Sequence, residues 1–377
     1  MRSRQVDIAV VGAGIVGLAF AYAYARRGKR VVVFERSERA VGASIRNFGL
    51  VWPIGQPAGR LFQRALRSRA IWQDLCRRAD LWCNADGSLH LAYHADELAV
   101  LEEYLALTPD AAAYCRLLNA EQVAQLSPAA RTTGLLGALW SRSELNVDPR
   151  QVIGRLPLWL NETYGVEFRF GEPVYQATPG RIVSGGGIRQ AERAIVASGA
   201  DFATLYPQVF SEAQISRCKL QMLRTVAQPG AWQLGPTLCG GLTLLHYAAF
   251  RDCPSLSALR RRLDTDWPLQ RAEQIHVMLS QTALGELTIG DHHEYGRTFE
   301  PFDREAVNQA ILQYLATFAH IPDLRIAERW HGVYALIPGQ SEFIAAPEPG
   351  VMIVNGLGGA GMTLAFGLAD EIVQAEG

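Results

Sequence analysis

Glycines near the start of the chain have the spacing of a dinucleotide phosphate site. Gly12, Gly14 and Gly17 satisfy the pattern G-x-G-x-x-G, with Ile15 and Val16 between the last two. In this pattern the first glycine permits a tight turn, the second lets a pyrophosphate approach the backbone, and the third lets a helix pack closely on a strand. Free N–H groups at the helix start attract the phosphates. The turn is therefore predicted to bind a dinucleotide.

An acidic residue follows at the distance that a ribose contact requires. Glu35 lies 18 residues after the last motif glycine, beyond a predicted strand at residues 30–34. Its carboxylate can accept hydrogen bonds from the ribose and would repel a 2′-phosphate, although Arg36 beside it weakens that exclusion. A strand at residues 6–11 and a helix at residues 18–27 complete a β-α-β unit. A glycine-rich turn without a ligand is the alternative.

A second glycine-rich turn lies near the other end of the chain. Gly356, Gly358 and Gly361 repeat the spacing between a predicted strand at residues 351–354 and an apolar helix at residues 362–373. Only 16 residues follow Gly361, too few for a second β-α-β unit. We interpret this turn as a helix N-terminus directed at another electron-rich part of the same cofactor, which in a flavin is the N1–C2=O edge. The alternative is a close-packed turn.

The two turns, together with residues 42–49 and 191–200, resemble the D-amino-acid oxidase/glycine oxidase superfamily of FAD-dependent amine oxidoreductases. The four stretches occur in the family's order and span essentially the whole chain. Residues 43–49, 52–57 and 218–222 resemble a bacterial branch associated with aminophosphonate breakdown. Besides the residues of the first turn, Glu35 and Arg36, the resemblance implies FAD contacts at Ser44, Asn47, Val174, Ser198, Gly199, Gly358, Gly359, Gly361, Met362 and Thr363.

The resemblance also implies the architecture. It is an α/β fold with a Rossmann-like FAD-binding domain of the glutathione-reductase type and a discontinuous α+β substrate domain. The FAD-binding domain is assigned to residues 1–85, 141–220 and 326–377. The substrate-binding domain, whose sheet is expected to roof the flavin, is assigned to residues 86–140 and 221–325. Long helices are predicted at residues 58–78 and 304–318, and a hairpin turn at residues 184–187.

Oxidation of an amine by a flavin does not require a strong base. It requires cationic side chains that bind the acidic group of the substrate, here called the anion clamp, and aromatic side chains that cover the flavin. Glycine-oxidase-like members carry a carboxylate-binding arginine in a segment similar to residues 330–334, two residues after the glycine. Here that position is Tyr334, which makes an ordinary α-amino acid a less suitable substrate. In related sarcosine oxidases a cysteine tethers the flavin at the position of Gly332. The glycine predicts non-covalent FAD.

Several residues are candidates to bind or orient the substrate. Arg46 is favoured because it follows Ser44 in the loop expected to cross the flavin, with a structural ion pair as the alternative. Residues 290–297 either line the pocket or form a solvated hairpin, and His246 is either a substrate contact or a core histidine. No metal site is expected, since the adjacent histidines at 292 and 293 point apart on a strand. The candidate catalytic set is Arg46, Lys219, His246, His292, Tyr295 and Tyr334.

Composition limits the partners. Lys+Arg is 36 against Asp+Glu 37, which argues against a nucleic-acid surface. No apolar run reaches the roughly 18–20 residues of a membrane span. Six scattered cysteines without metal-ligand spacing suggest reduced thiols and a cytoplasmic protein.

The resulting hypothesis is FAD-dependent oxidation of a small acidic amine by deamination or N-dealkylation, with oxygen or another electron acceptor. The expected substrate is an aminophosphonate such as 2-aminoethylphosphonate or its N-methyl form. Oxidation of glycine, sarcosine or a D-amino acid is the nearest alternative. A flavin protein of tRNA modification and an NAD-linked dehydrogenase are alternatives of other classes.

Overall fold

The computed structural model describes residues 5–376. Its α-helices, in chain order, are α1 Ile15–Ala25, α2 Arg60–Arg78, α3 Ala95–Leu107, α4 Pro109–Ala112, α5 Ala120–Leu126, α6 Pro149–Tyr164, α7 Pro207–Glu212, α8 Leu242–His246, α9 Leu256–Asp266, α10 Pro268–Ala272, α11 Glu305–Phe318 and α12 Gly361–Ala375. The strands are β1 Val6–Val11, β2 Val31–Glu35, β3 Leu50–Val51, β4 Cys83–Asn84, β5 Ser88–Ala92, β6 Cys115–Leu118, β7 Gly137–Ser141, β8 Leu145–Val147, β9 Glu167–Phe170, β10 Val174–Thr178, β11 Arg181–Ser184, β12 Gly187–Val196, β13 Ser216–Thr225, β14 Thr237–Cys239, β15 Met278–Gln281, β16 Leu287–Gly290, β17 Glu294–Gly296, β18 Ile326–Leu336, β19 Phe343–Glu348 and β20 Val351–Asn355.

The first sheet has a parallel centre in the order β20–β12–β1–β2–β9. Strands β1 and β2 are runs of β-branched and apolar residues, as expected for strands covered on both faces. Helix α1 packs on β1 and β2, and α12 packs on α1 and on α2. The first part of β12 forms the predicted hairpin with β11. The two ends of the chain therefore meet in one sheet, which places both glycine turns at its edge.

The second sheet follows the order β17–β13–β16–β15–β14–β5–β7–β6, with β18 also paired to β13. Helix α11 packs on β13, while α3 packs on β5, β6 and β7. A separate apolar core fills this unit, including Leu223, Leu279 and Ile311. The chain thus has the predicted α/β unit and a second unit made from non-contiguous segments.

The predicted boundaries at residues 220 and 326 do not match the strands. Strand β13 begins at Ser216, and β18 runs antiparallel to it from Ile326 to Leu336. Residues 216–220 and 326–336 thus belong to the second sheet, although the sequence assigned them to the FAD-binding domain. The apolar pattern of these residues predicts strands but not the sheet to which they belong. A strand belongs to the sheet whose strands it forms hydrogen bonds with, and these pairs are distant in sequence.

None of the helices between residues 5 and 376 combines the length and the apolar character that crossing a lipid bilayer requires. All six cysteines are free thiols.

Candidate active site

The first glycine turn has no room for side chains at two of its positions. Gly12 has φ +105°, and a Cβ there would lie 2.4 Å from the carbonyl oxygen of Ala197 on the neighbouring segment. A Cβ at Gly17 would lie 1.9 Å from the carbonyl oxygen of Gly12. Helix α1 therefore packs directly on the turn. Gly14 is its N-cap, and no side chain of its own caps the helix, so the backbone there fits an incoming phosphate.

A loop from the following segment covers the start of α1. The Ser44 hydroxyl oxygen accepts a hydrogen bond from the Ile15 N–H at 2.9 Å. Asn47 holds the loop together, since its side-chain amide donates to the carbonyls of Ala43 and Ser44, both at 3.0 Å. The structure therefore brings Ser44 and Asn47 to the helix N-terminus, as expected of residues that flank a bound cofactor.

Glu35 lies at the carboxyl end of β2, next to the turn. Its carboxylate accepts hydrogen bonds from the N–H groups of Ala13 and Ser37, each at 3.1 Å. Arg36 pairs instead with Asp201, with 2.9 Å between Nη1 and Oδ2. The acid is thus held in the position predicted for a ribose contact, and the charge of Arg36 is balanced by another residue.

The remaining residues predicted for the adenosine side lie along the sheet edge. Val174 is buried at the start of β10. Ser198 follows β12 and donates its hydroxyl to the carbonyl of Asp201 at 2.8 Å. Gly199 has φ +60°, and its carbonyl accepts a hydrogen bond from the Asn355 side chain at 2.9 Å, which ties it to the second glycine turn. Contact of these residues with FAD stays a prediction.

The second glycine turn meets the first. Gly358 has φ +59°, and α12 begins at Gly361 without a side-chain cap. A Cβ at Gly361 would be 3.6 Å from Cγ2 of Ile15, so the N-termini of α12 and α1 are neighbours. Met362 and Thr363 fix this end, because the Met362 carbonyl accepts the Trp72 indole N–H at 2.8 Å and the Thr363 hydroxyl accepts a backbone N–H at 2.9 Å.

Both helix N-termini open on one cavity of about 580 Å³. Ile15 and Ser44 belong to its wall on the side of the first turn, and residues 357–364 form the wall on the side of the second. Leu220, Met222 and Met278 of the second sheet lie opposite. Two helix N-termini whose N-cap residues provide no side-chain cap face a largely apolar cavity, which suits a cofactor with a diphosphate and an electron-rich ring, so the residues present fit FAD.

Three of the six predicted substrate residues line this cavity: Arg46, His246 and Tyr334. The Arg46 side chain also donates to the carbonyls of Val41 at 2.8 Å and His331 at 3.0 Å, so it joins its own loop to strand β18. Tyr334 lies against the second turn, because a Cβ at Gly359 would be 3.5 Å from its hydroxyl oxygen.

The other three predicted substrate residues do not line the cavity. Lys219 is buried, and its ammonium group donates to the carbonyls of Glu300 at 3.1 Å and Phe302 at 2.9 Å and pairs with Asp303. His292 accepts the Gln221 N–H at 2.8 Å. These placements correct the predictions for Lys219 and His292, because both side chains are engaged in joining β13 to neighbouring segments.

Tyr295 completes the set of residues outside the cavity. It lies on the edge strand β17 with 48% of its surface exposed. Its ring centroid is 6.1 Å from that of His293, which lines the cavity. Among residues 5–376 this is its one ring–ring contact with a cavity residue. Its predicted role is therefore corrected as well. The alternation of side chains on an extended segment explains the position of His292, since His293 faces the cavity and His292 does not.

Several cavity residues were not predicted as site residues. Arg251 is an exposed arginine that follows a short helical turn, and it forms no ion pair with another residue between 5 and 376. His276 precedes β15, and Asp291 follows β16. Asp291 belongs to a segment that the sequence marked as polar, whereas nothing in the pattern around Arg251 or His276 indicated a site.

Burial governs the charge of the cavity wall. It holds the pKa values of His276 and His293 well below the usual range. It also raises the pKa of the Asp291 carboxyl and of the Tyr334 hydroxyl well above their usual ranges. Burial therefore favours the neutral form of His276 and His293, and Tyr334 keeps the proton that makes it a hydrogen-bond donor.

Comparisons with known proteins agree with this geometry. The family described as DAO, FAD dependent oxidoreductase, matches residues 7–375. Glycine oxidase of Bacillus licheniformis is 29% identical over 346 residues, which cover 79% of this chain and 87% of that protein. The structure of L-proline dehydrogenase from P. horikoshii superimposes with a TM-score of 0.79 at 18% identity, covering 99% of this chain and 94% of that one. Glycine oxidase from Geobacillus kaustophilus gives 0.76 at 20% identity, covering 98% and 95%.

The chain belongs to the DAO family of FAD-dependent oxidoreductases. It is an oxidoreductase with FAD as its cofactor, which confirms the predicted family, fold class and cofactor and excludes the NAD-linked alternative. No cysteine of the described residues lines the cavity, and non-covalent binding of FAD stays a prediction.

Proposed function

We propose that the protein oxidises a small amine bearing an acidic group, and that its substrate is an aminophosphonate such as 2-aminoethylphosphonate or its N-methyl derivative. The similarity to a protein named glycine oxidase supports an amine as the substrate. The charge of the cavity wall supports the phosphonate.

The cavity wall carries an excess of positive charge. Arg46 and Arg251 contribute two guanidinium groups, whereas Asp291 contributes the one carboxyl among the lining residues of the described chain. Because burial raises the pKa of that carboxyl, its negative charge is disfavoured. A phosphonate with up to two negative charges matches this wall better than a carboxylate with one. This charge balance is the observation that carries the proposal.

Tyr334 takes the position at which the resemblance implies a carboxylate-binding arginine. Its hydroxyl is held protonated by burial and lies beside the second glycine turn. It can donate one hydrogen bond to a substrate oxygen or accept one from an amine, but it cannot form the paired hydrogen bonds with which arginine holds a carboxylate. The anion clamp must then come from other residues, and the arginines at the cavity supply it.

The apolar residues of the cavity prepare the amine. Leu220, Met222 and Met278 form one wall, and Trp52 and Tyr247 add aromatic surface. Such a wall excludes water and disfavours a charged ammonium group, so it favours the neutral amine that can be oxidised. Bound FAD supplies the electron sink for the two electrons that leave the C–N unit. The protein's own contribution is to hold the anion, orient the C–H bond and keep the amine neutral.

Anaerobic stopped-flow spectroscopy tests the proposal. Oxidised holoenzyme is mixed with 2-aminoethylphosphonate, N-methyl-2-aminoethylphosphonate, glycine, sarcosine and D-alanine, and the loss of flavin absorbance is followed. The measurement reports the substrate whether oxygen or another molecule is the acceptor. We expect the aminophosphonates to bleach the flavin fastest. Faster bleaching by glycine, sarcosine or D-alanine would contradict the substrate and favour the amino-acid oxidase alternative, which the similarity to glycine oxidase supports.

A further inference from the structure

Three histidines from separate parts of the second unit meet at the cavity. His246 ends α8, His276 precedes β15, and His293 precedes β17. Their ring centroids are 3.8 Å apart for His246 and His276, 4.6 Å for His246 and His293, and 5.1 Å for His276 and His293. One ring nitrogen from each lies within 4.8 Å of the other two. We propose that these three histidines form a binding site for a divalent transition-metal ion of the zinc class.

The spacing suits a metal with nitrogen ligands. Zinc binds imidazole nitrogen at about 2.0–2.1 Å, so each of three nitrogens up to 4.8 Å apart needs to move by less than about 1 Å to reach bonding distance. Side-chain rotation provides such a movement without a change in the backbone. Imidazole is also a preferred ligand of zinc, copper and nickel, which sets the class of ion.

Contacts at one ring nitrogen of His276 and of His293 leave the other ring nitrogen available to a metal ion. Nε2 of His276 lies 3.2 Å from Oδ1 of Asp291, while Nδ1 of His276 is buried and has no hydrogen-bond partner among the described residues. Nδ1 of His293 lies 3.3 Å from the carbonyl oxygen of Gln274, which accepts the ring N–H and leaves Nε2 as the free nitrogen. Metal-binding histidines are fixed in this way by a carboxylate or a carbonyl behind the ring.

A carboxyl group lies behind one of the rings. Asp291 is 5% exposed, and its Oδ1 lies 3.2 Å from Nε2 of His276. Nδ1, on the other side of the same ring, is the buried nitrogen without a hydrogen-bond partner among the described residues, and a bound metal ion would give it one.

The open face of the site is turned toward the cavity. All three histidines line the cavity, and three protein ligands leave a fourth position for an exogenous ligand. Oxygen anions are suitable ligands there, so the metal would bind the substrate's phosphonate oxygens together with the cavity arginines. This role rests on the proposed function, whereas the metal site itself does not.

Metal content is the test of the site. FAD-loaded protein is stripped with EDTA, dialysed against micromolar zinc chloride and then against buffer, and analysed by plasma mass spectrometry against flavin absorbance. We expect about one zinc ion per flavin in the wild type and in His320→Gln, a control at an exposed histidine, and none in His246→Gln or His293→Gln. A wild type that retains no more zinc than His246→Gln would overturn the site.

The choice of variants keeps the test decisive. The His246 side chain forms no hydrogen bond within residues 5–376, so its substitution should leave the fold and the flavin content unchanged even if His293→Gln fails to fold. A titration with inorganic phosphate, followed by the change in the flavin absorption spectrum, then tests whether the metal ion binds anions in the cavity. We expect at least about tenfold tighter phosphate binding with zinc than after EDTA treatment. Equal affinity would refute that role. Zinc content requires no substrate, so its outcome is separate from that of the bleaching experiment.

Discussion

Substitution of Gly14 by alanine separates the cofactor contact of the first turn from its structural role. Gly14 has φ −70°, which alanine adopts without strain, and the added Cβ would meet only the Ser44 hydroxyl oxygen, at 3.1 Å. Because that side chain can shift by a few tenths of an ångström, the loss in folding stability should be limited to the N-cap preference, about 1 kcal/mol. The Cβ would occupy the space through which a pyrophosphate approaches the backbone. Overpacking of this kind costs about 1–3 kcal/mol, or roughly 5–150-fold in the Kd of FAD.

The assay is a fluorescence titration of apoprotein with FAD, combined with urea unfolding of the same samples. Gly154→Ala is the matched control, because Gly154 lies inside α6, far along the chain from either turn, and a Cβ added there would meet no atom within 4 Å. That substitution should stabilise the helix by about 0.5–1 kcal/mol and leave FAD binding unchanged. If Gly14→Ala unfolds more easily but binds FAD as tightly as the wild type, the phosphate does not lie against this turn.

Three further predictions concern the second unit. Arg251→Gln should weaken binding of the anionic substrate by about 1–2 kcal/mol, roughly 5–30-fold in apparent Kd. Arg181→Gln, at an exposed position on β11, is the control. If the substrate dependence of flavin bleaching is unchanged in Arg251→Gln, Arg251 does not bind the substrate anion. Lys219→Met should lower the free energy of unfolding by about 1–3 kcal/mol and leave substrate binding unchanged. The reason is that the Lys219 ammonium group contacts protein groups outside the cavity. Weakened substrate binding would contradict this placement. Burial lowers the pKa of His90 to about 3, so its stabilising contribution is complete above the unfolded pKa of 6.5 and is lost as the pH falls toward 3. Between pH 7 and pH 5 the wild type should therefore lose about 2 kcal/mol more than His90→Phe in equilibrium unfolding, and equal losses would show that His90 is not buried as a neutral group.

Local patterns in the sequence predict the cofactor unit well. The strands of residues 6–11 and 31–35 are short apolar runs, and the glycines between strand and helix have a mechanical requirement that can be read from spacing alone. The C-terminal turn was predicted for the same reason. Its meeting with the first turn, through Gly361 and Ile15, depends on the parallel pairing of β20 with β12, which is visible only in the structure.

The substrate side could be predicted only in part. Lys219 is one of the two lysines of the chain, yet the alternation of side chains along β13 turns it away from the cavity and toward backbone carbonyls. His276 carries no local signal, because its neighbours in the cavity come from α8 and from the segment before β17. Contacts between residues distant in sequence require the strand pairing of the second sheet. That pairing also explains why the boundaries at residues 220 and 326 were misplaced.

A high-resolution crystal structure of the FAD-bound protein tests the central claim most directly. The account predicts one FAD with its diphosphate at residues 12–17 and its ring system in the cavity, with the electron-rich edge at the N-terminus of α12. A ring system located away from residues 358–363, or a cavity filled only by side chains, would contradict the claim that both ends of the chain hold a single cofactor.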